Sequence, residues 1–212
     1  MPSRRLPAPA VALLVRHGRT PTTGATLPGR TKGLHLSDEG RAQAEAVAAR
    51  LAELKRRPVA VYASPLERTV ETARPIAAAL GVKVQVDKGL LECDFGEWTG
   101  ADLKALARRR EWQQVQHHPS GFRFPGGESF AEMQLRIVAA LDRLGAAHRG
   151  ASFVAVSHAD PIRELVATAA GVPLDLFQRL MVSTCSVSAV RYASNGPRVI
   201  CVNASADGLV RT

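Results

Sequence analysis

Two short apolar runs in this chain each end in a histidine. Val11-Ala12-Leu13-Leu14-Val15 stops at Arg16-His17-Gly18, and Phe153-Val154-Ala155-Val156 stops at Ser157-His158. Each run is brief, rich in branched residues and closed by a polar turn, which is how a parallel strand buried on both faces reads. Side by side, the two runs would set both histidines at the carboxyl ends of neighbouring strands. Open α/β sheets hold their ligands there. An arginine beside one histidine, facing a second, points to chemistry on a phosphate.

The rest of the chain fits such a sheet. Residues 16–36 form a long loop punctuated by Pro21, Gly24, Pro28, Gly29 and Gly33, and a loop of that length in a compact domain is usually functional. Ser37-Asp38-Glu39 opens a helix whose apolar face carries Val47, Leu51 and Leu54. Val59–Ala63 reads as a second strand. A helix from Leu66 to Leu80 should stop at Gly81, and Val82–Val86 alternates like an edge strand. One helix is expected from Asp102 to Trp112, followed by an aperiodic segment over 113–128. With the helix before it, this makes a lid over about 100–128. Ser129-x-x-Glu132 is a capping box, with Met133, Ile137, Ala140, Leu141 and Leu144 on the face that follows. A helix over Pro161–Ala170 and strands over Val187–Tyr192 and Val199–Asn203 complete the chain. Strands alternating with helices predict a three-layer α/β/α sandwich with a mostly parallel sheet. Residues 1–9 read as a flexible tail and 10–212 as one domain.

The chain has 212 residues, 46% of them hydrophobic, enough for a full core. A formal charge of +9 suits anionic substrates, but the basic residues are not interleaved with aromatics as a nucleic-acid binder would require. No nucleic-acid partner is expected, and no apolar run is long enough to cross a membrane. Three cysteines without paired spacing, Cys93, Cys185 and Cys201, give neither a disulfide framework nor a zinc signature and suit a reducing cytoplasm. Self-association into a homo-oligomer stays open.

His17 precedes Gly18 in a turn where backbone can approach a ligand, and histidine can act as a nucleophile. Arg16 offers a planar two-point contact to phosphate. Arg68 falls in the first turns of a helix, where the dipole disfavours a cation. Anion binding would explain it there, though pairing with Glu67 or Glu71 is the commoner role for an arginine. Glu92 could protonate a leaving oxygen and then activate water, and Asp94 and Glu97 rival it on sequence grounds. His158 is a second donor to a phosphoryl group. No metal-binding spacing, P-loop or nucleophile elbow is present, so neither metal nor cofactor is expected.

In order, LLVRHG, GRTKGLHLSDEGRAQA, VYASPLERTVETA, LLECDFGEWTG, PGGES and VAVSHADPIR resemble the histidine phosphatase superfamily, the phosphoglycerate-mutase-like enzymes, from about Val11 to Val190. The resemblance implies that His17 is transiently phosphorylated. It implies that Arg16, Arg68 and His158 complete the phosphate pocket and that Glu92 is the proton donor. Thr23 would touch the phosphate, Ser157 would give it a backbone or hydroxyl contact, and Glu128 would support the site. Arg123, with Trp98, Trp112, His117, His118, Phe122 and Phe124, would shape the lid side, and Arg123 would meet a second anionic group. The pattern departs from the family at Arg19, Thr23, Ala159-Asp160-Pro161 and Thr184. Cys93-Asp94-Phe95-Gly96-Glu97-Trp98 and a short lid resemble the phosphatase branch. The expectation is a metal-independent phosphomonoesterase acting on a small phosphorylated metabolite. A phosphomutase is the alternative, and a catalytically silent phosphate-binding domain a remote one.

Overall fold

A computed structural model describes residues 8–205 of the chain, so the tail expected over residues 1–9 lies outside the described residues apart from Ala8 and Pro9. The two histidine-ended runs are strands β1 (Ala10–Arg16) and β4 (Ser152–Ser157). They pair in parallel, with Arg16 opposite Ser157. Both strands are buried, as their uninterrupted apolar sequence requires. Around them the sheet runs β3-β2-β4-β1-β5-β6, with β2 at Val61–Ala63 and β3 at Val84–Val86. β5 (Val187–Ala193) and β6 (Gly196–Ala204) follow on the other side. β3, β2, β4 and β1 are mutually parallel. β5 lies antiparallel to β1, and β6 antiparallel to β5.

The strand alternation sorts the core into two sides. Leu13, Val15, Val154 and Val156 face α1 (Asp38–Ala52) and α2 (Glu67–Leu80), packing on Val47, Leu51 and Ile76. Ala12, Leu14, Phe153 and Ala155 face α5 (Phe130–Ala147) and α6 (Ala159–Ala170), packing on Ile137, Leu141 and Leu165. The result is the expected three-layer sandwich. Its local signals also hold. Ser37 caps α1, Gly81 ends α2 in the left-handed conformation at φ 71°, and Ser129 and Glu132 form a reciprocal capping box.

The lid differs from expectation. The single helix expected from Asp102 to Trp112 is two, α3 (Leu103–Leu106) and α4 (Arg110–His117), and α4 runs into the stretch read as aperiodic. The chain is extended at Arg109 between them (φ −82°, ψ 144°). Phase explains the break. At about 100° per residue, one continuous helix would turn Trp112 and Val115 away from Leu103 and Leu106. Restarting at Arg110 returns all four to a third apolar cluster with Phe95, Trp98, Phe122, Phe124 and Phe130.

A contact between two glycines fixes the loop after β1. A Cβ on Gly18 would lie 2.4 Å from the Gly40 carbonyl oxygen, and one on Gly40 would lie 2.0 Å from the Arg19 carbonyl oxygen. The first turn of α1 therefore seats directly on the backbone that follows His17. Gly40→Ala should push these two segments apart and cost about 1–3 kcal/mol of stability. Urea unfolding checks this; an unchanged midpoint would show that the close approach is not a constraint.

Candidate active site

His17 continues the β1–β4 ladder by one bond, its N–H donating to the Ser157 carbonyl at 3.0 Å. Its side chain is buried, and Nδ1 lies 2.8 Å from the Gly18 carbonyl oxygen. A carbonyl oxygen only accepts, so Nδ1 carries the proton and the Nε2 lone pair is left free. Burial, then Arg68 and Arg16, hold the imidazole well below its ordinary pKa. It is neutral at physiological pH, the form a nucleophile needs.

Donors cluster around it. Arg68 is fully buried in the first turn of α2; it donates from Nη2 to the Gly29 carbonyl at 2.7 Å, and its Nε has no partner. Arg16 donates from Nη1 to the Val182 carbonyl at 2.7 Å, and its Nε is likewise unpartnered. His158 caps α6, its ring centroid 5.3 Å from that of His17. Its Nε2 meets the Ser64 hydroxyl at 2.9 Å, while Nδ1 is buried without a partner. Buried polar groups are rarely left unpaired. Three such nitrogens around one neutral histidine suit the oxygens of a phosphoryl group.

Glu92 lies at the same site. It is buried, and burial, reinforced by Asp160, pushes its pKa up to about 8 against the pull of Arg68 and Arg16. Its backbone is clamped from outside. Arg30 Nε and Arg136 Nη2 donate to the Glu92 carbonyl at 2.9 and 3.2 Å, and Arg136 Nη1 donates to those of Leu91 and Gly89. Glu128 ties the clamp together, pairing with Arg30 at 2.7 Å and Arg136 at 2.9 Å, a supporting position. The rivals stand elsewhere: Asp94 is engaged by Arg30 and the Gly96 N–H, and Glu97 is exposed.

A cavity of about 360 Å³ opens onto Arg16, His17 and Glu92. Thr23 borders it, its hydroxyl bonded to the Thr20 N–H. Two expectations are corrected. The Ser157 hydroxyl donates to the Leu90 carbonyl at 2.7 Å, so it ties β4 to the approach to Glu92, and of the backbone or hydroxyl contact expected there the hydroxyl half is withdrawn. Arg123 is exposed and outside the cavity, drawn to Glu132 of the capping box. Of the other lid residues, Trp112 and Phe124 line the cavity, Trp98 and Phe122 pack inside the lid, and His117 and His118 lie on its outer face. Sequence reasoning missed Ser64, Arg30 and Arg136. It also missed Arg163, which borders the cavity and pairs with Asp160 at 3.0 Å. Their i,i+3 spacing directly after Ser157-His158 was the available signal. Among the described residues, no three His, Cys, Asp or Glu side chains are grouped to hold a metal ion, and no helix is long and apolar enough to cross a membrane.

The family model described as histidine phosphatase superfamily (branch 1) matches residues 12–205. The chain belongs to the histidine phosphatase superfamily. Within this superfamily, the chain is 33% identical over 193 residues to bifunctional protein Rv2228c of Mycobacterium tuberculosis (strain ATCC 25618 / H37Rv), covering 89% of this chain. It spans only about half, 52%, of that relative's length. It is 34% identical over 181 residues to the probable phosphoglycerate mutase GpmB of Yersinia enterocolitica, covering 84% of this chain and 83% of that one. Among solved structures, mycobacterial glucosyl-3-phosphoglycerate phosphatase Rv2419c superposes with a TM-score of 0.82 at 25% identity, over 93% of this chain and all (100%) of that one.

The raised pKa of Glu92 has a stability consequence. Its folded value of about 8 lies above the ordinary 4.5. Folding thus takes up a proton between those values, and the associated stability is present below pH 4.5 and lost as pH rises through 8. Glu92→Gln, which cannot ionise, should gain on wild type across that window. Urea unfolding at several pH values measures the difference; a gap that does not change with pH would show that Glu92 is not held protonated.

Proposed function

We propose that this chain is a metal-independent phosphomonoesterase that works through a phosphohistidine at His17. One observation carries the reading: a neutral histidine with Nδ1 committed to the Gly18 carbonyl, beside three unpartnered nitrogens of Arg16, Arg68 and His158. Phosphoryl transfer needs little covalent help and much charge stabilisation, because charge spreads over three equatorial oxygens. The two arginines supply that charge. His17 Nε2 attacks phosphorus in line, and the P–O bond to the alcohol breaks. Protonated Glu92 gives its proton to the leaving oxygen. Water then attacks the phosphohistidine, Glu92 carboxylate takes the water proton, and phosphate leaves with neutral His17 restored.

The mutase reading differs only in the second acceptor, an alcohol instead of water. The likeness to GpmB favours it. The phosphatase named among the solved neighbours favours hydrolysis. Hydrolysis is also favoured because, among the described residues lining the cavity, Arg163, the cation besides Arg16, is already paired with Asp160 and is not free for a phosphoglycerate carboxylate.

Hydrolysis of p-nitrophenyl phosphate in EDTA should be readily measured in wild type and fall by at least about a thousandfold in His17→Ala, together with loss of covalent 32P labelling. Retained labelling in the variant would overturn the assignment of His17. Efficient conversion of 3-phosphoglycerate to 2-phosphoglycerate, followed by phosphorus NMR with a bisphosphoglycerate primer, would replace the hydrolase with the mutase.

A further inference from the structure

The lid carries five cations, Lys104, Arg108, Arg109, Arg110 and Arg123, and none borders the cavity. All five are exposed. Arg109 lies over the Trp98 ring, and Arg123 pairs with Glu132. What the lid and its neighbours turn toward the cavity is mostly apolar, with Leu27, Phe95, Leu103, Trp112, Val115 and Phe124 beside the uncharged polar Gln116 and Thr26. This polarity is unexpected in a chain of formal charge +9.

Charge balance sharpens the point. A phosphate dianion is matched by Arg16 and Arg68. The remaining cation on the cavity, Arg163, is already paired with Asp160, whose carboxylate borders the same space. A substrate carboxylate would therefore find no free countercharge and would face an acid. Burying an unpaired charge in such a place is costly. A neutral group could still use the unpartnered Arg163 Nε and Gln178 Oε1 on the cavity wall.

We propose that the cavity selects phosphate monoesters whose organic group is uncharged and largely apolar, an alkyl or aryl alcohol, in preference to phosphorylated carboxylic or amino acids. The proposal rests on the phosphomonoesterase reading for its reaction, and on the cavity wall for its selectivity. Leu27, Leu103, Trp112 and Val115 would enclose the organic group while the phosphate meets Arg16 and His17. The volume, about 360 Å³, is at the small end of ordinary ligand pockets.

Binding of unreactive phosphonates tests selectivity apart from turnover. Calorimetric titration of the purified full chain would compare n-hexylphosphonate, ethylphosphonate and 3-phosphonopropanoate. A fully buried methylene is worth about fourfold in affinity, so the hexyl compound should bind at least about tenfold tighter than the ethyl one. The carboxylated compound should bind more weakly than the ethyl one. Trp112→Ala should shrink the hexyl-to-ethyl ratio, and Leu103→Lys should raise affinity for 3-phosphonopropanoate. Equal binding of hexyl and ethyl compounds, or tighter binding of the carboxylate, overturns the proposal. Hydrolysis of p-nitrophenyl phosphate by the same preparation separates the two ideas. Turnover without alkyl preference leaves the phosphatase reading standing and removes this one. Alkyl preference without turnover does the reverse.

Discussion

The parallel pairing of β1 with β4 is the constraint on which the site depends. The ladder ends with the His17 N–H on the Ser157 carbonyl, one residue short of His158. That single register brings two histidines from opposite ends of the sequence to a ring separation of 5.3 Å. A slip of one residue would turn each side chain to the other face of the sheet. The alternating cores prevent the slip: Leu13 and Val15 are committed to one helical layer, and Ala12 and Leu14 to the other.

Around that fixed pair, the site balances charges that would be unfavourable singly. Arg68 is fully buried and Arg16 largely so. Each has carbonyl partners, from Gly29 and Val182 respectively, but each keeps one unpartnered nitrogen. Burial first, and then their positive field, keeps His17 neutral, and the same field opposes the protonation of Glu92. Burial and Asp160 win that contest, so the acid holds its proton to about pH 8. One neutral histidine with a free Nε2 lone pair and one carboxyl with a proton is the pairing that nucleophilic attack with leaving-group protonation demands. The neutral histidine is what an arginine pair favours; the protonated carboxyl is what it opposes.

The sheet, the caps and the central residues were legible because their signals are local. Apolar runs, Ser37, Gly81 and the Ser129–Glu132 box each announce an element boundary within four residues. His17, Arg16, Arg68, Glu92 and His158 each sit at such a boundary, and the structure groups them. The clamp was not legible. Arg30 and Arg136 reach the Glu92 carbonyl across 62 and 44 residues, and no local pattern marks an arginine for that task. The lid helix was misread for a different reason. Helix propensity runs unbroken through Ala107-Arg108-Arg109, and only the phase of Leu103, Leu106, Trp112 and Val115 against a shared core forces the break. Arg123 was misplaced because an anionic cap at Glu132 competes for it, and adjacency to the lid says nothing of that competition.

The two halves of the site are held by forces of different kinds. The segment after His17 rests on backbone-to-backbone exclusion, with Gly18 and Gly40 too close for any side chain between them. Hard contact of this sort ignores ionic strength and proton activity. Glu92 instead hangs from a ring of arginines and a carboxylate, half-shielded from solvent. Such a ring loosens in concentrated salt and in acid. His17, the proposed nucleophile, thus stands on a mechanical footing and Glu92, the proposed acid, on an electrostatic one, and a harsh medium would disturb the carboxyl while leaving the imidazole in place.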